Sequence, residues 1–376
     1  MKLRVLEVIR QGEVGGGESH VIDLVLGLMR TQDVQPVVLS FTIGPMVTRL
    51  RSEGVLCHVI KTQHAFDPRV TSAIIKLLQK EHIDIVHAHG SRAASNMLVP
   101  ARRLGLPIVY TVHGWSFHQG QNCISNWLRR RSEALICRRA TKVICVSQSN
   151  FETGRNAFGL SADKTTMIEN GVNLNIFNPD ASYPDVRKQL RFSADDFLVS
   201  LIGRITAQKG PLDFIKAIEQ AHSKEPCIKA LVVGEGDMTD VVDRYIDEHN
   251  CRGFIIRQPF RNDVHALLAA SDVFCLPSLW EGLSIAMLEA MAMRKPMVVT
   301  PTDGARDFIH DGVNALVVPP SDVVKLSESF LLLAHNKELR DKIAASAHEI
   351  VRKRFDAARV ADSVAEIYRN IAGIIS

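Results

Sequence analysis

Residues 197–211 read FLVSLIGRITAQKGP. The first six are apolar and β-branched enough for a buried strand, and Pro211 suits the first position of a helix expected over Leu212 to Ala221, because its missing N–H would have no intrahelical partner there. Strand, short loop and helix in immediate succession are the building unit of a parallel sheet. The loop carries two cations, Arg204 and Lys209, and the free N–H groups of the following helix point at it. That combination is suited to holding a phosphate or diphosphate. Two solvated surface charges are the alternative.

The same alternation runs along the chain in both directions. Candidate strands are Arg4 to Ile9, Pro36 to Phe41, Cys57 to Ile60, Ile83 to Ala88, Ile108 to Val112, Lys142 to Val146 and Thr165 to Ile168. A second series follows at Phe197 to Ile202, Ile228 to Val233, Phe254 to Arg257, Val273 to Pro277, Met297 to Thr300 and Ala315 to Val318. Longer helical patterns separate them, so the expected class is α/β with parallel sheets of β-α-β units. Asn173 to Asp195 lacks a convincing strand, carries Pro179 and Pro184, and reads as a linker. The 376 residues are therefore expected to form two domains, 1–173 and 174–357, with an amphipathic helical tail from about 358 to 376.

Composition bounds the function. Hydrophobic residues at 46% and charged ones at 23% are those of an ordinary globular protein, and a formal net charge of +4 gives no footprint for nucleic acid. The seven cysteines lack any C-x-x-C pair and suggest neither a disulfide framework nor a zinc site, which fits a cytoplasmic location. The start MKLRVLEVIRQGE is too charged for a signal peptide, and no segment has the roughly 18 apolar residues of a membrane span.

Two carboxylates, Glu281 and Glu289, stand eight residues apart in SLWEGLSIAMLEAMAMR, residues 278–294. Glu281 is expected on the loop after the strand ending at Pro277, and Glu289 in the helix from Ser284, so that both face one crevice. The run Gly15-Gly16-Gly17 after the first strand invites a dinucleotide-binding reading. A G-x-G-x-x-G pattern starting at Gly15 would need glycine at position 20, where His20 stands. What remains is a backbone-exposed turn before a helix from Glu18, able to approach a diphosphate or a sugar.

Taken together, Gly15-Gly16-Gly17-Glu18, His113-Gly114, Ile168-Glu169-Asn170-Gly171-Val172-Asn173, Gly203-Arg204 with Lys209-Gly210, Gly234-Glu235-Gly236 and the Glu281 to Glu289 element resemble the family 4 glycosyltransferases, glycosyl transferases group 1. That resemblance spans nearly the whole chain. It implies the GT-B architecture, two facing Rossmann-like domains with parallel sheets and an interdomain cleft, and in such proteins the last helix crosses back onto the first domain. It also implies a retaining transfer of sugar from a nucleotide diphosphate sugar, a UDP- or GDP-sugar, to an acceptor hydroxyl.

Carried over residue by residue, the resemblance makes Arg204 and Lys209 stabilise the leaving diphosphate, Glu281 face the transferred sugar, and His113 approach it from the first domain. It makes Glu289 bind the ribose, with Gly16, Gly17, Asn170, Gly203, Glu235, Ser284 and Ile285 as further substrate-binding positions and Arg261 flanking the base. No cofactor is expected, and no essential metal, since two cations already serve the diphosphate. His87-Ala88-His89 is set aside as a ligand pair on the expectation that its imidazoles point to opposite faces of a strand.

The acceptor is expected to be a glycan or a lipid-linked or envelope molecule. Trp127 to Arg139 is a basic helical pattern with an apolar stripe that could lie peripherally on anionic membrane, at the inner face, or simply cover a sheet. His118, Gln119 and Asn122 are nearby acceptor candidates. Two other classes stay open at this point: a nucleotide-sugar epimerase or a phosphorylase of the same architecture, and a non-catalytic sugar-nucleotide binder.

Overall fold

The computed structural model describes residues 2–13, 15–117, 122–302 and 304–373. His118 and Gln119 lie outside them. Two compact units emerge, one of Met1–Gly171 with Ala357–Ser376 and one of Val172–Asp356.

The first unit alternates β1 (Leu3–Ile9), α1 (Gly16–Arg30), β2 (Val34–Ser40), α2 (Pro45–Ser52), β3 (Leu56–Val59), α3 (Thr71–Lys80), β4 (Ile85–His89), α4 (Ser91–Leu104), β5 (Ile108–Val112), α5 (Cys123–Arg139), β6 (Lys142–Cys145), α6 (Gln148–Phe158) and β7 (Thr165–Met167). Its strands form one parallel sheet in the order β3-β2-β1-β4-β5-β6-β7. β4 and β5 are buried on both faces, as parallel strands covered by crossover helices must be. The order reverses between β1 and β4, which makes the carboxyl ends of these two strands the switch point where doubly wound sheets bind ligands.

In the second unit α7 (Val186–Gln189) precedes β8 (Phe197–Ile202), α8 (Pro211–Lys224), β9 (Ile228–Val233), α9 (Thr239–Glu248), β10 (Ile255–Gln258), α10 (Val264–Ala270), β11 (Val273–Leu276), α11 (Ile285–Ala292), β12 (Met297–Val299), β13 (Leu316–Val317), α12 (Val323–His335) and α13 (Lys337–Arg354). The sheet is again parallel, in the order β10-β9-β8-β11-β12-β13, with its switch point between β8 and β11. Its core gathers Val199, Leu201, Phe214, Ile218, Val232, Val298 and Phe330.

The tail helix α14 (Ala357–Ile371) belongs to the first unit. Val360, Ala361, Val364, Ala365 and Tyr368 recur at helical spacing and join Leu3, Val5, Leu24 and Leu28 in one cluster, where each large aliphatic group contributes about 1.5–3 kcal/mol. The approach to α1 is close enough that a Cβ on Gly27 would lie 2.5 Å from that of Ala361.

One expectation is corrected. α1 starts at Gly16, not Glu18, so Gly16 and Gly17 are its first two residues. The stretch Asn173 to Asp195 has no strand, as expected of a linker, and is tied to the second unit around α7. Val186 is buried, and the Arg187 guanidinium donates to the carbonyls of Ala270 at 2.8 Å and Asp196 at 2.9 Å and pairs with Asp272 at 2.5 Å. Among the described residues no helix is long and apolar enough to cross a membrane.

Candidate active site

In the second unit the loops after β8, β9 and β11 are stitched to one another by backbone. Ile205 N–H donates to Glu235 O at 2.9 Å and Met238 N–H to Ile205 O at 3.0 Å. Gly234 has φ +131°, and a Cβ there would strike Gly203 O at 1.9 Å, so both the fold of the loop and its neighbour demand glycine. Gly210 has φ +62° and faces Pro277 O at 2.4 Å from its would-be Cβ. Leu279 N–H donates to Gln208 O, and the Gln208 amide to Trp280 O, both at 2.8 Å.

These ties bring Lys209 against Glu281 across the switch point. The two side chains form an ion pair, each only about a tenth exposed at 12% and 11%, and Ser278 Oγ donates to the same Glu281 oxygen at 3.1 Å. Ser284 and Ile285 are buried at the start of α11, whose N–H groups face the same sheet edge. Glu289 is half-buried further along that helix, while Arg204 and Glu235 are exposed on their loops.

Arg261 is placed differently. It follows β10, the edge strand, and its guanidinium is held by Asp263 at 2.5 and 2.8 Å. Arg257 is likewise engaged, with Asp243 at 2.9 Å and Gly234 O at 2.6 Å.

The first unit holds a second constellation at its own switch point. Glu7 on β1 is fully buried. One carboxylate oxygen accepts from Tyr368 Oη at 2.6 Å, and the other lies 2.8 Å from His89 Nε2 and 3.1 Å from His87 Nδ1. His87 also meets Tyr368 Oη at 2.5 Å and Thr111 Oγ1 at 2.7 Å. His89 Nδ1 lies 3.2 Å from Nε2 of His113, and His20 on α1 sets its ring edge-on to His113 with centroids 4.9 Å apart.

His87 and His89 therefore share a face, which corrects the expectation that they diverge. Side chains alternate with a period of two, so residues two apart point the same way. Their rings stand 4.2 Å apart between centroids. The ligand atoms of His20, His89 and His113 lie within 4.8 Å of one another, as do those of Glu7, His87 and His89, so either trio is chemically able to hold a metal ion.

Burial, then the neighbouring imidazoles, press the His20 pKa down to about 3 and that of His89 to about 4, and His113 is lowered well below the usual value for the same reasons. Burial would raise the Glu7 carboxyl, but the electrostatic attraction of the His87 and His89 rings and the hydrogen bonds they donate outweigh it and hold it below the usual range.

The loop bearing His113 is anchored from behind. Glu133 is buried on α5 and accepts from Tyr110 Oη at 2.8 Å and Ser116 N–H at 3.2 Å, and Trp115 Nε1 donates to Asn150 O at 3.0 Å. Burial raises the Glu133 pKa. Gly17 differs from the packed glycines. A Cβ there would meet nothing within 4 Å, so no contact in the unit explains its lack of a side chain. Asn170 is buried after β7, at the far edge of this sheet from β1.

Glu7 and His20 were not singled out as functional groups from the sequence, and His89 was considered only with His87 as a ligand pair and set aside. A signal was present: Glu7 interrupts the apolar strand LRVLEVI, and two histidines stand two apart in IVHAH.

Comparison with known proteins identifies the family of the chain. The model for Glycosyltransferase Family 4 matches residues 14–176, and that for Glycosyl transferases group 1 matches 182–350. The chain is a family 4 glycosyltransferase. Its two Rossmann-like units are those of the GT-B fold. An Escherichia coli UDP-Gal:alpha-D-GlcNAc-diphosphoundecaprenol alpha-1,3-galactosyltransferase is 28% identical over 307 residues, 80% of this chain and 79% of its own. The alpha-D-kanosaminyltransferase of Streptomyces kanamyceticus is 24% identical, over 79% of this glycosyltransferase and 80% of its own length. Among solved structures, Anabaena HepE in complex with UDP and glucose superposes with a TM-score of 0.84 at 23% identity, covering 97% of this chain and 99% of that one.

Proposed function

We propose that this glycosyltransferase moves a sugar from a UDP- or GDP-sugar, with retention at the anomeric carbon, to a hydroxyl of a lipid-linked or cell-envelope glycan acceptor. The observation that carries the donor half is the Lys209–Glu281 pair at the switch point of the second sheet, beside the N-terminus of α11. Lys209, with Arg204 from the same loop, stabilises charge growing on the leaving diphosphate as the glycosidic bond breaks. Glu281 accepts hydrogen bonds from the sugar and orients it, Glu289 takes the ribose hydroxyls, and Gly203, Glu235, Ser284 and Ile285 offer backbone to the nucleotide. Retention is supported by the family resemblance, with the leaving phosphate taking the acceptor's proton. These cations and the helix N-terminus meet the diphosphate charge without an essential metal.

On the acceptor side, the E. coli relative acts on a diphosphoundecaprenol-linked sugar, which supports a lipid-linked class. The outer face of α5 supports a peripheral membrane contact. Ile124, Trp127, Leu128 and Leu135 are exposed there among arginines, with the Arg131 guanidinium 5.3 Å from the Trp127 ring centre and that of Arg130 5.1 Å from Phe117. Apolar groups in a basic field suit an anionic interface.

Thermal unfolding with UDP, GDP, ADP, NAD or no ligand, each with and without magnesium, tests the donor half. Binding at a hundred times Kd stabilises by about 2.7 kcal/mol. Stabilisation by UDP or GDP without magnesium is expected, followed by turnover with the matching sugar nucleotides. Stabilisation by NAD alone, or by none of them, refutes the donor reading. Changing Arg129, Arg130 and Arg131 together to Glu is expected to abolish sedimentation with phosphatidylglycerol vesicles, and unchanged association removes the membrane reading.

A further inference from the structure

The hydrogen-bond chain inside the first unit has a direction, and we infer that Glu7 and His89 are positioning residues that hold His113 with Nε2 protonated and Nδ1 bare, offering the ligand a hydrogen-bond acceptor for a hydroxyl. The inference rests on the reading of the chain as a transferase in which His113 meets the sugar or its acceptor.

The direction follows from chemistry at each link. An ionised carboxylate only accepts hydrogen bonds, so the group 2.8 Å from Glu7 Oε2 must donate, and His89 carries its proton on Nε2. A neutral imidazole has one N–H, which leaves His89 Nδ1 bare. The atom facing it at 3.2 Å is His113 Nε2. Two lone pairs at that distance repel, so His113 places its own proton there and its Nδ1 is left as an acceptor.

The parallel branch agrees. Tyr368 Oη donates to Glu7 Oε1 at 2.6 Å, its oxygen accepts from His87 Nδ1 at 2.5 Å, and His87 Nε2 accepts from Thr111 Oγ1 at 2.7 Å. Every proton in the network therefore points towards Glu7.

Burial makes this arrangement rigid. Glu7 and His87 are fully buried, His89 and His20 are 3% and 5% exposed, and His113 alone of the group is partly open. Among the described residues His113 Nδ1 has no hydrogen-bond partner. His20 packs its ring edge-on to His113 and fixes the plane in which Nδ1 lies. A misdirected chain would present an N–H in place of the acceptor, so a donor hydroxyl would lose its partner while the nucleotide, held by the other unit, would not.

The same trio of imidazoles could instead gather a cation, and the experiment separates the two. The full chain is labelled with 15N-histidine and its long-range 1H–15N spectrum recorded. The His113 signals are identified by their loss in His113→Asn. The wild-type protein is expected to show His113 protonated at Nε2 and bare at Nδ1; the opposite tautomer, or a cationic ring at neutral pH, overturns the inference without any change at Glu7. In Glu7→Gln the amide is able to donate to His89 Nε2 and reverse the chain, so His113 is expected to change tautomer and kcat to fall about tenfold or more with UDP affinity unchanged. Glu7→Asp keeps an accepting carboxylate and is expected to restore the wild-type tautomer.

An unchanged His113 spectrum in a folded Glu7→Gln protein overturns the positioning role. Should that variant not fold, the wild-type tautomer still decides. Cobalt(II) added alone is expected to give no visible d–d band, and a stoichiometric band lost in His20→Asn would make the cluster a metal site and overturn the chain. If His113 has the expected tautomer yet His113→Asn transfers sugar normally, the transferase reading of His113 fails while the hydrogen-bond chain stands.

Discussion

Replacing Glu281 with glutamine separates the two jobs given to the Lys209–Glu281 pair. Breaking a fully buried ion pair by removing one charge costs about 3–5 kcal/mol, and an exposed pair is worth about 0–1 kcal/mol. Here both side chains are about nine-tenths covered, and glutamine still offers an oxygen to Lys209 and Ser278, so a loss of about 1–2 kcal/mol is expected. In a unit of this size that is a fall of about 2–8 °C in Tm.

The binding effect runs the other way. A carboxylate about 5 Å from a phosphate charge repels it by about 3 kcal/mol at an effective dielectric constant of about 20, before screening by salt. Removing it also leaves Lys209 without its competing anion. Bare UDP or GDP should therefore bind to Glu281→Gln as tightly as to the parent chain, or up to about tenfold tighter. On the role proposed for Glu281, turnover should drop about a hundredfold, because the sugar would lose the group that orients it. Calorimetric titration with the nucleotide and a coupled assay of nucleotide release measure the two quantities on one preparation. Parallel loss of nucleotide affinity and turnover would refute the reasoning, as would an unfolding temperature equal to that of the parent.

Gly17→Ala meets no neighbour and improves helix propensity, so it should leave stability unchanged or raise it by about 0.5–1 kcal/mol, yet depress turnover if a ligand occupies that space; full activity would show that the space is empty in catalysis. Gly27→Val should drive its side chain into Ala361 and loosen α14 at a cost of about 1–3 kcal/mol, read by thermal unfolding and by proteolysis near residue 357, and Ala361→Gly should restore part of it. Acid should destabilise the first unit. The pKa values of His20 and His89 fall from 6.5 to about 3 and about 4 on folding, so the unfolded chain binds more protons below 6.5, and stability present above that value is lost as the pH falls towards 4. Each group contributes at most about 1.4 kcal/mol per pH unit, and a Tm that is flat from pH 6.5 to 4 would contradict the burial of both rings. Glu133 has the opposite sign: its raised value costs stability as the pH climbs above 4.5, so Glu133→Gln, which keeps an acceptor for Tyr110, should gain most at neutral pH.

Much of this fold was legible in the residues. Runs such as FLVSLI and IKALVV name buried strands because parallel strands covered on both faces must be apolar throughout, and Pro211 marked the start of α8 to the residue. The loops that follow them, with Arg204, Lys209 and Glu281, were readable for the same reason, since a loop after a parallel strand falls on the ligand edge whatever the order of strands. That Lys209 and Glu281 touch was not readable, because they are 72 residues apart and meet only because β8 and β11 are neighbours at the switch point. The first unit makes the point more strongly. Periodicity puts His87 and His89 on one face, but that this face meets Glu7 depends on β1 pairing with β4, and that Tyr368 completes the network, 281 residues from His87, depends on α14 packing against α1. Sequence spacing carries the local periods of helix and strand; which strand lies beside which is decided by how the crossovers bury their apolar faces, and the buried chain from Glu7 to His113 exists only at that level.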